Sequence, residues 1–420
     1  MRLDSLERIP MTPHPYTIAV EQGILDDLRE RLERTRWVDD LNDDGWTYGL
    51  SMPWMRELAE YWRTGFDWRA QERALNRFAN FRTDIDGLGI HFIHERGRGP
   101  NPLPLILTHG FPDSILRFAK IIPMLVDPAS HGGDPEDSFD IVAPSLPGYA
   151  FSDKPHNAGL TFRISDMWHQ LMTRELGFKR YAAHGGDWGS LVTDFLARDH
   201  GGSLVGIHLT DVPFYHTFQP PKDPSRKEKK FLDTIAKFTQ TEGGYAVVQG
   251  TQLQALALGL NDSPAGLAAW IIEKFRRWSD CGGDVEKCFT RDELLANVMI
   301  YWATDTINSS FLPYYDVSNA GAMTFIKLML KQWKSRSHVP VAFAMFPKDL
   351  SSPPREWAER FYNVERWTEM PRGGHFAALE EPELLVNDIR EFFRPFRIPR
   401  RSAPRSKPRQ RRRARKLAGR

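Results

Sequence analysis

The sequence predicts an α/β fold in which a mostly parallel central sheet is flanked by helices. Short apolar runs typical of buried strands recur along the chain, and glycine-rich turns follow several of them. Helical patterns replace the strand-like runs between residues 215 and 334, which predicts a helical insertion. A mainly helical extension is expected before the first strand of the core.

The most informative segment is YAAHGGDWGS, residues 181–190. The apolar run from Tyr181 to Ala183 predicts a buried strand that ends at His184, and residues 191–198 predict a helix. Gly185 and Gly189 lie two residues on either side of Asp187, which is the spacing of a nucleophile elbow, a strand-to-helix turn that leaves no room for bulk. The helix N-terminus would favour developing negative charge. The alternative is an ordinary glycine turn with an aspartate capping a helix.

An elbow needs an acid and a histidine later in the chain, in that order. Residues 339–346 predict a strand, and Asp349 follows it. Residues 364–370 lead into the loop PRGGHF, which carries His375, before a C-terminal helix that opens near Pro382. A lone histidine in a glycine-rich loop is often only a surface residue. The order of strand, acid and histidine makes His375 a candidate general base.

Attack on an acyl carbon builds charge on oxygen, which preorganised backbone amides must stabilise. The motif HGFP, residues 109–112, follows the apolar run Leu103–Thr108. We predict that the Phe111 N–H donates to the oxyanion and that the Trp188 N–H is the second donor. Residues 138–155 predict a further strand and loop before the elbow.

Taken together, these motifs resemble those of microsomal-type epoxide hydrolases of the α/β-hydrolase fold, from roughly Pro15 to Phe396. The segments that carry the resemblance are LDDLRERLERTRW, WRAQERALNRFANFRTDIDGLGIHFIHERG, HGFPDS, GGDWGS, NDSPAGLAAWIIEKF, FPKD and RGGHFAALEEPELL. The family implies hydrolysis of an epoxide to a vicinal diol without a cofactor.

The resemblance also explains a carboxylate at position 187. A serine that opened an epoxide would leave a stable ether, whereas an aspartate leaves an ester that water can hydrolyse. In the family the aspartate attacks an epoxide carbon, and His375, oriented by Asp349, would then activate the hydrolytic water.

Two lid tyrosines of the family donate hydrogen bonds and a proton to the epoxide oxygen. By motif position these are Tyr245 in EGGYAVVQ and Tyr314 in SSFLPYYD. Tyr315 lies next to Tyr314, so the second assignment could shift by one residue. Without the family pattern, either tyrosine would be read as a packing residue.

The 420 residues, 41% of them apolar, can hold one large domain with insertions. The runs LAAWIIEKFRRW and TFIKLMLKQW indicate that the insertion is a helical lid. The expected division is an N-terminal region at 1–95, the first part of the core at 96–214, the lid at 215–334, the second part of the core at 335–397, and a disordered basic tail at 398–420. In the family the N-terminal region wraps the core and buttresses the lid.

The only cysteines, Cys281 and Cys288, are expected to be free thiols, since one pair is no disulfide framework in a chain of this length. No metal-ligand spacing is evident, so we expect no metal. The N-terminus lacks the long apolar stretch of a membrane span and the apolar centre of a signal peptide. We therefore expect no transmembrane anchor and a cytoplasmic enzyme. The oligomeric state stays open, with a homodimer as one option.

The tail is strongly basic: twelve Lys or Arg and no acid lie between Arg397 and Arg420. The formal net charge of the whole chain is +2, so these twelve positive charges leave a net charge of −10 on residues 1–396. Such a run could bind nucleic acid or anionic lipid through charge alone, but no specific nucleic acid partner is expected.

Two other functions compete with epoxide hydrolysis. A haloalkane or haloacid dehalogenase would use the same aspartate and triad but hold a departing halide with Trp or Asn N–H groups. The lid tyrosines and the N-terminal segments favour the epoxide. A nucleic-acid-associated protein with a vestigial hydrolase domain is the other alternative, and the intact set of Asp187, Asp349 and His375 argues against it.

Overall fold

The structure, a computed structural model, describes residues 12–41, 45–218, 220–319 and 336–397. Within these residues nine strands form one sheet in the order β1-β2-β3-β5-β4-β6-β7-β8-β9. The strands are β1 (His14–Pro15), β2 (Asn80–Ile85), β3 (Leu88–Glu95), β4 (Leu103–Thr108), β5 (Phe139–Pro144), β6 (Tyr181–Gly185), β7 (Leu204–Leu209), β8 (Ser337–Met345) and β9 (Tyr362–Glu369). Neighbouring strands are antiparallel along β1-β2-β3-β5 and parallel along β5-β4-β6-β7-β8-β9.

The core helices pack on this sheet. They are α4 (Ile121–Val126), α5 (Ile164–Gln170), α6 (Trp188–Asp199), α14 (Arg355–Glu359), α15 (Ala377–Glu380) and α16 (Pro382–Phe393). Helix α6 contacts β4, β6 and β7, while α16 contacts α4 and β7. The sequence predicted that this helix begins at residue 191. The helix begins three residues earlier, because the chain turns within Asp187 alone.

The described residues of the N-terminal region form three helices and three strands of the main sheet, β1 to β3. Its helices are α1 (Gln22–Glu33), α2 (Met52–Thr64) and α3 (Trp68–Leu75). The expectation of a mainly helical region is confirmed, but residues 80–95 form the strands β2 and β3 rather than helix. Asp86 and Gly87, both at positive φ, form the tight turn between β2 and β3. Asp-Gly is a strong sequence signal for such a hairpin, and it was overlooked.

The segment between β7 and β8 is helical, as expected. Its described helices are α7 (Arg226–Thr241), α8 (Gly244–Thr251), α9 (Leu253–Asp262), α10 (Pro264–Trp278), α11 (Arg291–Thr304), α12 (Ile307–Ser310) and α13 (Leu312–Asn319). The run TFIKLMLKQW lies outside the described residues, as does the basic tail at 398–420.

The N-terminal helices hold the lid through polar contacts. Tyr61 donates a hydrogen bond to Asp292 at 2.7 Å, and Arg31 pairs with Asp262 at 2.6 Å. Helices α1 and α2 also pack against α10. These contacts join the N-terminal helices to the lid.

In the described part of the chain no single helix has the length and hydropathy needed to cross a bilayer. Helices α9 and α10 reach that threshold only as a pair, with a bend of 117° between them.

Candidate active site

Asp187 occupies a strained turn between β6 and α6. Its backbone has φ 57° and ψ −128°, a conformation that residues other than glycine rarely adopt and that is typical of functional turns. An added Cβ at Gly189 would lie 1.9 Å from the Thr108 carbonyl oxygen, and one at Gly185 would lie 2.2 Å from the Gly189 oxygen. The small residues on both sides are therefore required by packing.

The Asp187 carboxylate does not cap the helix, so the alternative of an ordinary capping aspartate was wrong. Its Oδ1 instead accepts a hydrogen bond of 2.8 Å from the Phe111 N–H. Gly110 lies so close that an added Cβ would be 2.1 Å from Asp187 Oδ1. Trp188 is the first residue of α6, where a backbone N–H has no intrahelical acceptor. The Phe111 amide thus contacts the carboxylate, and the Trp188 amide directly follows Asp187 in the chain without an intrahelical acceptor.

The parallel register brings the acid and the histidine to the same edge of the sheet as Asp187. His375 Nδ1 lies 2.7 Å from Asp349 Oδ1, and His375 Nε2 lies 3.3 Å from Asp187 Oδ2. The second distance is within ion-pair range but is not aligned as a hydrogen bond. Burial alone would lower the pKa of His375, but Asp349 and Asp187 outweigh burial and raise it to about 10.

Two tyrosines of the lid face the carboxylate. Tyr245 on α8 and Tyr314 on α13 are buried, and their ring centroids are 5.6 Å apart. Burial, with the nearby Asp187 charge, raises the pKa of both phenols, so both hydroxyls stay protonated donors at neutral pH. Tyr315 lines a different cavity, beside Lys154. The geometry therefore favours Tyr314 over its neighbour.

These groups surround a cavity of about 300 Å³ between the sheet edge and the lid. Its wall is largely apolar, and the apolar side chains include Leu191, Val212, Ile235, Phe238, Val317 and Leu350. A cavity of this kind binds an apolar molecule and presents it to a few fixed polar groups.

A buried ion pair, missed in the sequence analysis, joins two parts of the site. Asp113 pairs with Arg117, and Asp113 Oδ1 accepts the Gly110 N–H at 2.9 Å. Arg117 Nη2 donates to the His375 carbonyl oxygen at 2.7 Å. The pair thus ties the Phe111 turn to the histidine loop. Its partners are up to 258 residues apart, so no local motif could reveal it.

Glu380 holds the same loop from the other side. Its carboxylate accepts hydrogen bonds from the N–H groups of Gly374, Phe376 and Asp280 at 2.8 to 3.0 Å. Burial raises the pKa of Glu380 to about 7 despite these bonds.

Asp211 is a further carboxylate at the cavity wall. It follows β7 as Asp349 follows β8, a pattern that could have identified it from the sequence. Its Oδ1 accepts the Asp187 N–H at 3.0 Å.

Within the described residues, no group of three or more His, Cys, Asp or Glu side chains could hold a metal ion. Cys281 and Cys288 are free thiols, as expected.

The parallel sheet, the strained turn and the acid and histidine at its edge define a hydrolase of the α/β-hydrolase fold with a carboxylate at the nucleophile position. The family described as "Epoxide hydrolase N terminus" matches residues 13–118, and the α/β hydrolase fold family matches residues 104–244.

Named relatives agree with these matches. A candidate epoxide hydrolase of Stigmatella aurantiaca (strain DW4/3-1) is 43% identical over 91% of this chain and 85% of that protein. Epoxide hydrolase 1 of Sus scrofa is 36% identical over 90% of this chain and 88% of that protein. The crystal structure of juvenile hormone epoxide hydrolase from Bombyx mori superposes with a TM-score of 0.80 at 28% identity, covering 92% and 95% of the two chains. The chain belongs to the epoxide hydrolase family, of the microsomal type.

Proposed function

We propose that the protein converts an apolar epoxide and water into a vicinal diol through an ester at Asp187. The observation that carries this proposal is a largely apolar cavity that is lined by Asp187, by His375 and by the protonated phenols of Tyr245 and Tyr314. Asp187 Oδ1 already accepts the Phe111 N–H, so Oδ2 is the oxygen that attacks.

In the first step Asp187 Oδ2 forms a bond to one epoxide carbon. The bond between that carbon and the ring oxygen breaks, and its electron pair stays on the oxygen. Tyr245 or Tyr314 donates a proton to the alkoxide, which would otherwise be a poor leaving group. The products are a tyrosinate and a hydroxyalkyl ester of Asp187.

In the second step His375 Nε2 takes a proton from water, and the water oxygen attacks the Asp187 carboxyl carbon. The tetrahedral oxyanion accepts hydrogen bonds from the Phe111 and Trp188 N–H groups. Collapse breaks the ester bond, and the diol leaves with the former Asp187 Oδ2. The two protons of the water return to the tyrosinate and to the departing oxygen.

Ester formation prepares His375 for its role as base. In the free enzyme the Asp187 and Asp349 carboxylates raise the pKa of His375 to about 10, against the effect of burial. The ester has no charge at Asp187, so one of these two carboxylates is lost and the pKa of His375 falls. The histidine therefore releases its proton to solvent only after the first step has occurred, and takes one back from solvent once the Asp187 carboxylate is restored.

A dehalogenase is not favoured, because the named relatives are epoxide hydrolases. The two phenols opposite Asp187 also suit an oxygen leaving group that must gain a proton, which a halide does not need.

A single-turnover reaction in ¹⁸O-labelled water tests the ester, followed by mass spectrometry of the peptide that contains Asp187. The substrates are a panel of styrene, terpene and long-chain epoxides scored for diol. We expect solvent oxygen in the Asp187 carboxylate and no turnover in Asp187→Ala. An unlabelled Asp187 after several turnovers would show that water attacks the epoxide directly.

A further inference from the structure

Both peptide groups that flank the strained Asp187 are held by one side-chain bridge. Asp211 Oδ1 accepts the Asp187 N–H at 3.0 Å. Asp211 Oδ2 lies 2.6 Å from Ser190 Oγ, and the same Ser190 Oγ lies 2.7 Å from the Asp187 carbonyl oxygen. The bridge therefore spans the residue whose backbone conformation is least favourable on its own.

The number of protons in this bridge determines the charge of Asp211. A serine hydroxyl has one proton to donate. The Asp187 carbonyl also accepts the Ser190 N–H at 3.0 Å. If Asp211 were ionised, the hydroxyl proton could lie toward only one of the two oxygens, and the other would face Ser190 Oγ at under 2.8 Å with no proton between them. If Asp211 is protonated, its O–H donates to Ser190 Oγ and the Ser190 O–H donates to the carbonyl. Both short distances are then hydrogen bonds.

We propose that Asp211 is a protonated positioning residue: its hydroxyl donates to Ser190 Oγ, Ser190 donates to the Asp187 carbonyl, and Asp211 Oδ1 accepts the Asp187 N–H. This proposal rests on the proposed role of Asp187 as the nucleophile. The bridge holds the Asp187 side chain between the oxyanion amides and His375. It also keeps a second negative charge away from the ester while the tetrahedral oxyanion forms.

The charged groups around Asp211 support a protonated state. Burial and the carboxylates of Asp349 and Asp187 raise the pKa of Asp211 to about 7, although Ser190 and His375 oppose the shift. Arg117 approaches from the other side of the elbow, where its Nη2 would lie 2.8 Å from a Cβ at Gly186, but it is already paired with Asp113. Tyr245 and Tyr314 face the same cavity as neutral phenols.

The proposal predicts a specific dependence on pH. At low pH the hydrolysis of the ester slows because His375 is protonated. As the pH rises through the pKa of Asp211, the carboxyl loses its proton, the bridge loses a hydrogen bond, and a negative charge appears beside the oxyanion. The rate of ester hydrolysis should then fall again, whereas the preceding attack by Asp187 should not.

The neutral isostere of a protonated aspartate is asparagine, whose amide donates where the acid O–H donates. We would measure ester hydrolysis in single turnovers between pH 5 and 9, by quenching and mass spectrometry of alkylated Asp187. Asp211→Asn should lack the descending alkaline limb of the natural enzyme. Asp211→Ala and Ser190→Ala should slow hydrolysis about tenfold at pH 6, the effect of one lost hydrogen bond. Asp211→Asn should restore most of the rate that Asp211→Ala loses.

Two results would overturn the proposal: an alkaline limb in Asp211→Asn at the same pH as in the natural enzyme, or Asp211→Asn as slow as Asp211→Ala at pH 6. The second result would mean that the charge of Asp211 is required. Circular dichroism checks that each variant is folded. If Asp211→Ala does not fold, Ser190→Ala tests the bridge in its place. Absence of any alkylated Asp187 in the natural enzyme would instead refute the proposed nucleophile, independently of Asp211.

Discussion

Replacing Arg117 by methionine should cost about 3 kcal/mol of folding free energy and slow ester hydrolysis. Arg117 is 1% exposed and is the ion-pair partner of Asp113, which is equally buried. Methionine keeps the apolar stem but leaves Asp113 as an unpaired buried carboxylate, a change that costs about 3–5 kcal/mol in comparable cases. The Gly110 N–H still donates to Asp113, which places the expected loss at the lower end of that range.

The assay is thermal unfolding together with single-turnover kinetics. A loss of about 3 kcal/mol lowers the Tm of a chain of this size by roughly 4 °C. Loss of the hydrogen bond to the His375 carbonyl frees the histidine loop, and we expect ester hydrolysis to slow about tenfold. The matched control is Arg163→Met, since Arg163 pairs with Asp86 at the surface, where an ion pair contributes about 1 kcal/mol or less.

The pH provides a second readout. Burial would raise the pKa of Asp113, but Arg117 beside it holds the pKa well below its usual range. Without Arg117 the pKa of Asp113 rises. The difference in unfolding free energy between the natural protein and the variant should therefore grow as the pH increases from 5 to 8. Adding Asp113→Asn should recover part of the loss at pH 8. A double variant no more stable than Arg117→Met, or a loss equal to that of the surface control, would refute the reasoning.

Three further predictions concern the site. His375→Gln should accumulate the Asp187 ester, consuming one equivalent of epoxide per enzyme without releasing diol. An equal fall in the rates of ester formation and ester hydrolysis would contradict the role of His375 as base. Tyr314→Phe should lower kcat about 10- to 100-fold because a proton donor is lost, whereas Tyr315→Phe should change it less than about twofold; the reverse order would reassign the second tyrosine. Gly189→Ala should yield little folded protein, measured as soluble yield and Tm, because its Cβ would lie 1.9 Å from a backbone oxygen, and a normal Tm would show that the turn can relax.

Features that depend on neighbouring residues could be predicted from the sequence. The strand Leu103–Thr108 was predicted with its bounds, and β6 extends one residue beyond its predicted end at His184. The glycine spacing around Asp187 predicts the turn, because the steric limits of a turn involve only residues that are close in sequence. The Asp86–Gly87 hairpin carried an equally local signal, and the helical expectation for the N-terminal region missed it.

The sequence by itself therefore determined the fold class, the turn that holds Asp187, and the order of acid and histidine that follows it. Only the tertiary structure decided which groups surround them: Arg117 bridging to a loop 258 residues away, Asp211 beneath the Asp187 amide, and Tyr314 rather than Tyr315 on the cavity wall. The physical reason is that a turn is specified by the steric limits of adjacent residues, whereas the charge and hydrogen bonding of a buried group depend on whatever the folded chain packs against it.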